Sequence, residues 1–354
     1  MGKALGCRSA YFRGFFVNRP VATFTTLLLT ATLAITSDSS PLKLVTSVDL
    51  PKYSGDFDHF AADVEGNRLF LAAEDHGTLE VFDLSTTKWL KTIKGFDTPH
   101  SILYLPASQK LFVTDGGDSM SKVLSAADLQ VLQKVTLVPG ADSLAYDPGA
   151  HRAYVVTGGK DVKMKESVVS VIDTIDFSKK ADLRLDSAHV EGMALESQGN
   201  RMFINVTDHG EIYVVDRSTL KILGRWPLEN VGENSPMVLD EANQRLFIVC
   251  RKPAKLVVFD TESGKQVGAW DTAGHADGMA FDPARKRIYV PGAEGYIAVY
   301  QQKDADHYEL IAKVPSAPGA KTCLLVPELN RLYVAVSPGE GKFGGRVLTF
   351  ETLP

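Results

Sequence analysis

The sequence alternates polar turns with short apolar runs, and one such unit recurs seven times. Each copy contains a basic residue, an apolar residue, an aromatic residue and then an aliphatic one. The copies are Arg68-Leu69-Phe70-Leu71, Lys110-Leu111-Phe112-Val113, Arg152-Ala153-Tyr154-Val155, Arg201-Met202-Phe203-Ile204, Arg245-Leu246-Phe247-Ile248, Arg287-Ile288-Tyr289-Val290 and Arg331-Leu332-Tyr333-Val334. Successive basic residues lie 42, 42, 49, 44, 42 and 44 positions apart. This period is typical of the four-stranded blade of a β-propeller.

The surroundings of each copy predict three further strands. A short strand with small residues, such as Phe60-Ala61-Ala62, precedes the unit and is separated from it by a turn rich in Asp, Pro, Gly and Asn. An alternating strand that often ends in Asp follows, for example residues 79–83, and then a fourth strand such as residues 89–93. Period-2 alternation between turn signals is the pattern of β-strands. The sequence therefore predicts an all-β, seven-bladed propeller with four-stranded antiparallel blades.

The two ends of the repeat region predict how the ring closes. The seventh copy reaches its third strand at residues 346–350 and has no fourth strand after it. Residues 42–48, ahead of the first copy, alternate like a fourth strand. We expect this N-terminal strand to complete the last blade, since closure removes the open sheet edge that promotes aggregation.

The repeated units resemble the YVTN-type (YncE-like) β-propeller family. The resemblance covers about residues 44–351. Phe112-Val113-Thr114-Asp115 is the segment most similar to the Tyr-Val-Thr-Asn tetrapeptide after which the repeat is named. It implies an exported soluble protein. It implies no particular reaction, because the family is a scaffold without a shared activity and fold does not determine function.

The N-terminus has the order of a secretory signal. Residues 1–19 carry basic residues and no acid, residues 21–34 are an apolar run, and residues 36–40 are polar. We expect a signal peptide at 1–34, a short linker at 35–41, the propeller at 42–354, and a periplasmic or extracellular location. The alternative is an uncleaved anchor, although the run is shorter than the roughly 20 residues that span a bilayer; we expect no transmembrane span in the mature form.

Charge and cysteine content narrow the function classes. The chain has a net charge of −5. Residues 1–34 hold four basic residues and no acid, so the rest holds 34 basic and 43 acidic residues, a net charge of −9. This excess of acidic residues repels the phosphate backbone of nucleic acids, so we do not expect a nucleic-acid partner. The remaining candidate partners are a small molecule and an extracytoplasmic protein. Cys250 and Cys323 form no metal or disulfide motif, and without C-x-x-C-H covalent haem is excluded.

The repeat register brings one residue per blade to the axis. Counting ten residues back from each basic residue reaches the start of the innermost strand, at Asp58, His100, Asp142, Glu191, Ser235, Asp277 and Lys321. We call these seven positions the axial ring. Four converging carboxylates repel one another unless a cation, protons or water lie between them. They suit calcium above all, or magnesium, while His100 admits zinc or copper. A ring that is only solvated or salt-bridged, with Lys321 neutralising one acid, accounts for the same residues without any ligand.

Loops on the same face add further polar candidates: His59, His76, His209 and Glu294. No motif for a nucleophile, a phosphate loop or a zinc protease occurs in the sequence, so no catalytic residue is assigned. The first hypothesis is an exported binding or scaffold protein whose ligand lies on the face of the axial ring. The alternative is a metal-dependent lactonase or hydrolase resembling the gluconolactonase group, which has six blades and uses Asn as well as acids around its metal.

Overall fold

The computed structural model describes residues 40–354. The expected signal peptide and residues 35–39 of the expected linker lie outside the described residues. The described part contains 28 strands arranged in seven four-stranded antiparallel sheets. No helix among residues 40–354 has the length and apolar character needed to cross a bilayer.

Each sheet is one blade, numbered here in chain order. Blade 1 comprises β2 (Phe60–Asp63), β3 (Arg68–Ala73), β4 (Thr78–Asp83) and β5 (Trp89–Lys94). Blade 2 comprises β6 (Pro99–Leu105), β7 (Lys110–Asp115), β8 (Met120–Ser125) and β9 (Val131–Thr136). Blade 3 comprises β10 (Leu144–Asp147), β11 (Arg152–Gly158), β12 (Ser167–Asp173) and β13 (Lys179–Leu185).

The remaining blades follow the same order. Blade 4 comprises β14 (Val190–Leu195), β15 (Arg201–Val206), β16 (Glu211–Asp216) and β17 (Lys221–Pro227). Blade 5 comprises β18 (Gly232–Asp240), β19 (Arg245–Lys252), β20 (Ala254–Asp260) and β21 (Gln266–Asp271). Blade 6 comprises β22 (Ala280–Asp282), β23 (Arg287–Gly292), β24 (Tyr296–Gln302) and β25 (Tyr308–Pro315). Single 3-10 turns lie at Glu74–His76, Pro106–Ser108, Lys160–Val162, Glu241–Asn243 and Pro327–Leu329.

Blade 7 is built from both ends of the described chain, as the sequence predicted. It contains β26 (Ala320–Val326), β27 (Arg331–Val336), β28 (Gly339–Thr352) and, at its outer edge, β1 (Leu42–Gly55). The antiparallel register runs from Leu42 opposite Thr352 to Leu50 opposite Gly345. The predicted strand at 42–48 is thus the first half of a longer one.

The core is a ring of seven apolar clusters, each between two neighbouring blades. The apolar and aromatic positions of the repeated unit are both buried; Leu69 and Phe70, for example, have no exposed surface. The two residues point to opposite faces of the strand because β side chains alternate. Each blade therefore buries both faces of its second strand, and this is why the unit is a continuous apolar run rather than an alternating one.

The basic residue of the unit connects neighbouring blades. The guanidinium of Arg68 donates to the carbonyl oxygen of Ala126, and that of Arg201 to the carbonyl of Thr261 at 2.5 Å. Arg287 does the same to Leu353 at 2.6 Å. Each acceptor directly follows the third strand of the next blade. Arg245 also reaches the next blade, through the Asp306 carboxylate, whereas Arg152 pairs with Asp173 of its own blade. In four of the seven copies the basic residue therefore connects its blade to the next.

Candidate functional site

A cavity of about 600 Å³ lies on the propeller axis, and all seven residues of the axial ring line it. We call it the axial cavity. Backbone bonds set the direction of the ring residues: the amide of Asp58 donates to Ala72 O and that of Asp142 to Val156 O, each at 2.9 Å. These are equivalent bonds in blades 1 and 3, so the repeat itself aims both side chains at the axis.

One side of the axial cavity is neutralised by salt bridges. Asp277 is bound by Arg251 and lies 3.2 Å from the Lys321 ammonium, which also contacts Asp56 at 3.0 Å. Arg251 additionally donates to Ser235 Oγ at 3.0 Å and to Ala276 O at 3.0 Å. Burial by itself would lower the pKa of Lys321, but Asp277 and Asp56 raise it. We call these four charged residues the paired side.

The opposite side carries three carboxylates: Asp58 is contacted by two histidines, whereas Asp142 and Glu74 have less compensation. His100 Nδ1 lies 2.7 Å from Asp58 Oδ2 and 3.8 Å from Asp142 Oδ1. His59, the one predicted loop residue that reaches the cavity, has its Nε2 3.4 Å from Asp58 Oδ1. Within residues 40–354, the carboxylates of Asp142 and Glu74 accept no hydrogen bond. We call Asp58, Glu74, His100 and Asp142 the open side.

The ionisation of the open side reflects this shortage of positive charge. Burial, together with the carboxylates of Asp58 and Glu191, raises the pKa of Asp142 to about 7 against the effect of His100. Burial, with Asp58 nearby, also raises the pKa of Glu74 to about 7. Burial would lower the pKa of His100, but Asp142 and Asp58 raise it to about 10. A positive charge among these groups would be stabilised.

Glu191, the remaining acid of the axial ring, lies at the entrance to a second cavity. Its Oε1 is 2.6 Å from His189 Nε2, and the Lys160 ammonium lies 3.0 Å from the same ring nitrogen. The second cavity has a volume of about 280 Å³ and shares Glu74, His100, Asp142, Asp161 and Glu191 with the first. Five glycines line it: Gly116, Gly117, Gly140, Gly158 and Gly159. We call it the glycine cleft; it extends the open side outward between blades 2, 3 and 4.

Three of the predicted loop residues, His76, His209 and Glu294, line neither of these two cavities. His76 Nε2 accepts from the amide of Ser54, His209 contacts the Tyr213 hydroxyl at 3.0 Å, and Glu294 accepts from the amide of Gly274.

The physical reason is a structural role that recurs at this loop. An acid in the loop after the second strand accepts a backbone amide from the segment that enters the first strand. Asp75 accepts from Asp56, Asp208 from Ala188 and Glu294 from Gly274, at 2.8, 2.9 and 3.1 Å. The identical tripeptides Asp75-His76-Gly77 and Asp208-His209-Gly210 each supply the aspartate that accepts this backbone amide.

Sequence reasoning missed Asp56, Glu74, Asp161 and Arg251 as residues of the cavity wall. Glu74 stands in a 3-10 turn, outside the ten-residue register that located the ring. Arg251 sits 16 residues after Ser235 but donates to both Ser235 and Asp277. Counting along the repeat identifies residues at equivalent backbone positions. It does not identify long side chains that reach the cavity from other positions.

Fold and cavity together define a class: a seven-bladed β-propeller with an acidic axial cavity. No family model matches the chain. It is 35% identical over 103 residues to a protein named Uncharacterized protein YncE of Escherichia coli K12, covering 28% of this chain and 29% of that protein. The same-named protein of Escherichia coli O157:H7 is 32% identical over 124 residues, or 34% and 33% of the two chains. The match thus spans about a third of the length of these curated relatives.

A solved structure agrees on the fold alone. Hydrazine Synthase of Kuenenia stuttgartiensis superposes with a TM-score of 0.69 at 15% identity, covering 78% of this chain and 91% of that one. The homologues named YncE and the seven-bladed architecture support a YncE-like β-propeller family for this chain.

Proposed function

We propose that the protein is an exported binding protein that holds a cationic ligand in its axial cavity. The observation that carries this is the charge of the cavity wall. Seven carboxylates line the cavity: Asp56, Asp58, Glu74, Asp142, Asp161, Glu191 and Asp277. The wall contains two residues with a permanent positive charge, Arg251 and Lys321, and both contact Asp277.

The two cations and the carboxylates of Asp56 and Asp277 form the paired side, so five carboxylates remain. The histidines of the wall, His59, His100 and His275, are the other groups able to carry positive charge there. Carboxylates held close in a partly buried space cost free energy through desolvation and mutual repulsion. A cationic ligand on the open side would offset that cost, and this gain is available as binding energy.

Export is supported by the order of basic, apolar and polar segments over residues 1–40. The mature N-terminus is then expected between about Ala34 and Leu42. N-terminal sequencing of the protein recovered outside the cytoplasm checks this, and intact Met1 on membrane-bound material would contradict it.

Thermal unfolding with candidate cations tests the binding role. Ca²⁺, Mn²⁺, Zn²⁺ and spermidine are added separately to the mature protein after chelator treatment. A ligand at 100 times its Kd stabilises the folded state by about 2.7 kcal/mol. We expect at least one of these cations to raise the Tm, and the double variant Asp142→Asn with Glu74→Gln to lose the increase.

Glu65→Gln is the matched control. Glu65 is exposed in the turn between the first two strands of blade 1, which lies at the opposite end of these strands from the cavity. This variant removes one negative charge without touching the cavity and should respond like the parent. A panel without any Tm shift, or an equal shift in the double variant, contradicts the proposal. An activity screen of the same cation-loaded protein against lactones and esters tests the hydrolase alternative.

A further inference from the structure

We propose that Asp58, His100 and Asp142 bind a divalent transition-metal ion, with the rest of its coordination shell facing the axial cavity and the glycine cleft. This inference rests on the proposed function and names the ligand class of the open side. One potential ligand atom from each residue lies within 4.8 Å of the other two. The residues come from the first three blades: Asp58 and Asp142 lie just before β2 and β10, and His100 lies at the start of β6.

The distances suit a metal ion. Ligand atoms that lie about 2.0–2.2 Å from an ion are about 3–3.6 Å from each other in tetrahedral or octahedral geometry. His100 Nδ1 is 3.8 Å from Asp142 Oδ1 and 2.7 Å from Asp58 Oδ2. Side-chain movements of a few tenths of an ångström would bring both distances from His100 Nδ1 into that range. The one hydrogen bond that Asp142 accepts among the described side-chain bonds goes to its backbone carbonyl, from Thr114. Its carboxylate can therefore turn toward an ion without breaking a hydrogen bond.

The donor set selects the class of metal. Calcium takes six to eight oxygen ligands, whereas the centre of this group is an imidazole nitrogen. Imidazole with carboxylates suits zinc, iron, manganese, nickel or copper. The structure therefore directs the proposal away from the calcium that the count of acids had favoured and toward a transition metal.

Surrounding groups orient the ligands. His59 Nε2 lies 3.4 Å from Asp58 Oδ1, the oxygen that does not contact His100. Gly116 packs against the other side of the imidazole, where a Cβ at position 116 would come within 3.0 Å of His100 Nε2. Such outer contacts fix the ring and the carboxylate, and their loss typically weakens metal affinity 10- to 100-fold.

The contacts also fit a protonated His100 that bridges Asp58 and Asp142 as a salt bridge. The two states differ in a measurable way, since a metal displaces the proton from Nδ1 whereas a salt bridge requires it.

The experiment uses the untagged mature protein after chelator treatment, with calorimetric titration of Zn²⁺ and Co²⁺ and the visible spectrum of the Co²⁺ form. We expect one equivalent to bind and the Co²⁺ spectrum to show nitrogen and oxygen ligation. Asp142→Asn and His100→Gln should each weaken Zn²⁺ binding at least 10-fold. Gly116→Ala, which changes no ligand, should weaken it and alter the Co²⁺ spectrum. Glu65→Gln should bind like the parent.

Three outcomes overturn the metal site: no stoichiometric binding, unchanged affinity in both ligand variants, or a Ca²⁺ affinity that exceeds the Zn²⁺ affinity and does not depend on His100. Binding of spermidine shows whether the metal site alone is wrong or the proposed cation-binding function is wrong as well. If spermidine binds the parent and not Asp142→Asn while Zn²⁺ and Co²⁺ bind neither, the metal site is wrong and the cationic ligand stands. If neither metal nor spermidine binds, both proposals are wrong.

Discussion

Asp142 and Asp277 occupy the same position in two repeats but have different surroundings. Asp277 contacts both Arg251 and Lys321, whereas Asp142 has the His100 ring at 3.8 Å as its near charged neighbour. The repeat places both carboxylates at the axis, and the side chains that meet them come from elsewhere. We therefore expect these two equivalent residues to affect stability differently.

This difference predicts opposite effects of the same substitution in the metal-free protein. Asp277→Asn leaves Arg251 and Lys321 without their shared partner and should lower the free energy of unfolding. Removing one partner of a fully buried pair costs about 3–5 kcal/mol. We expect about 1–3 kcal/mol here, because all three side chains retain between 21% and 24% exposure.

Asp142→Asn removes a repelled carboxylate and should leave the free energy of unfolding unchanged or raise it. Urea unfolding of both variants at pH 7 measures the two effects. A loss for Asp142→Asn as large as that for Asp277→Asn would show that the open side is a structural ion-pair network.

Asp63 provides a pH-dependent prediction remote from the axial cavity. Its carboxylate is 1% exposed and accepts from the Gly66 amide at 2.8 Å and from Arg68 Nε at 3.0 Å. Burial opposes ionisation, but the Gly66 amide and the Arg68 guanidinium lower the pKa of Asp63 below its usual value. A lowered folded-state pKa stabilises the protein above the unfolded pKa of about 3.9, and this contribution is lost as the pH falls through the folded-state pKa.

Asp63→Asn should therefore reduce the free energy of unfolding at pH 7, and the difference from the parent should shrink below about pH 4. Urea unfolding at pH 3, 4, 6 and 7 measures it, with Glu65→Gln as an exposed control two positions away. A difference that is the same at pH 3 and pH 7 would rule out the carboxylate as its source.

At the scale of the elements, β1 determines whether the ring is closed. Its residues 42–48 pair with β28, and Val48 stands opposite Val347. Deleting residues 42–48 exposes the edge of β28 and should produce aggregation or a strongly lowered Tm. Light scattering and calorimetry measure both.

The control for this deletion keeps the strand and changes its outer surface. Leu44 and Val45 are 51% and 46% exposed, so replacing both with Thr should leave the Tm near that of the parent. A deletion variant that stays monomeric and melts like the parent would mean that β1 does not close the ring.

At the scale of the whole molecule, the propeller places Cys250 and Cys323 in different blades. Cys250 is buried in blade 5 and Cys323 lies half-buried in blade 7, both as free thiols, with blade 6 between them. Because a disulfide needs Cα atoms within about 7 Å of each other and a whole blade lies between these residues, we expect the two thiols to stay unbridged. Burial raises the pKa of each thiol to about 12.

Iodoacetamide reacts with thiolates, so neither cysteine should be alkylated at pH 8 in the folded protein, and both should react after unfolding in urea. Mass spectrometry of the two peptides counts the adducts. Rapid labelling of Cys323, which lines the axial cavity, would contradict the raised pKa at that position. A bridge between the cysteines would contradict the order of the blades.

The fold was predictable from the sequence because each blade repeats one set of local constraints. The aromatic residue of every repeated unit is buried between blades, and the basic residue in several of them reaches the next blade, so packing preserves both at a fixed period. Position relative to Arg68 and its equivalents also predicted the seven residues of the axial ring, because the register of a strand determines where its side chains point.

The sequence by itself determined the seven blades, their closure by β1 and the residues that converge on the axis, since these depend on period and register. Only the tertiary structure decided which of those charges neutralise one another. Arg251 and Asp277 belong to different blades and are 26 residues apart, yet they form a salt bridge, while the carboxylates of Glu74 and Asp142 accept no hydrogen bond within residues 40–354. Charge interactions depend on distances between side-chain tips and on burial, and neither quantity is a function of repeat position.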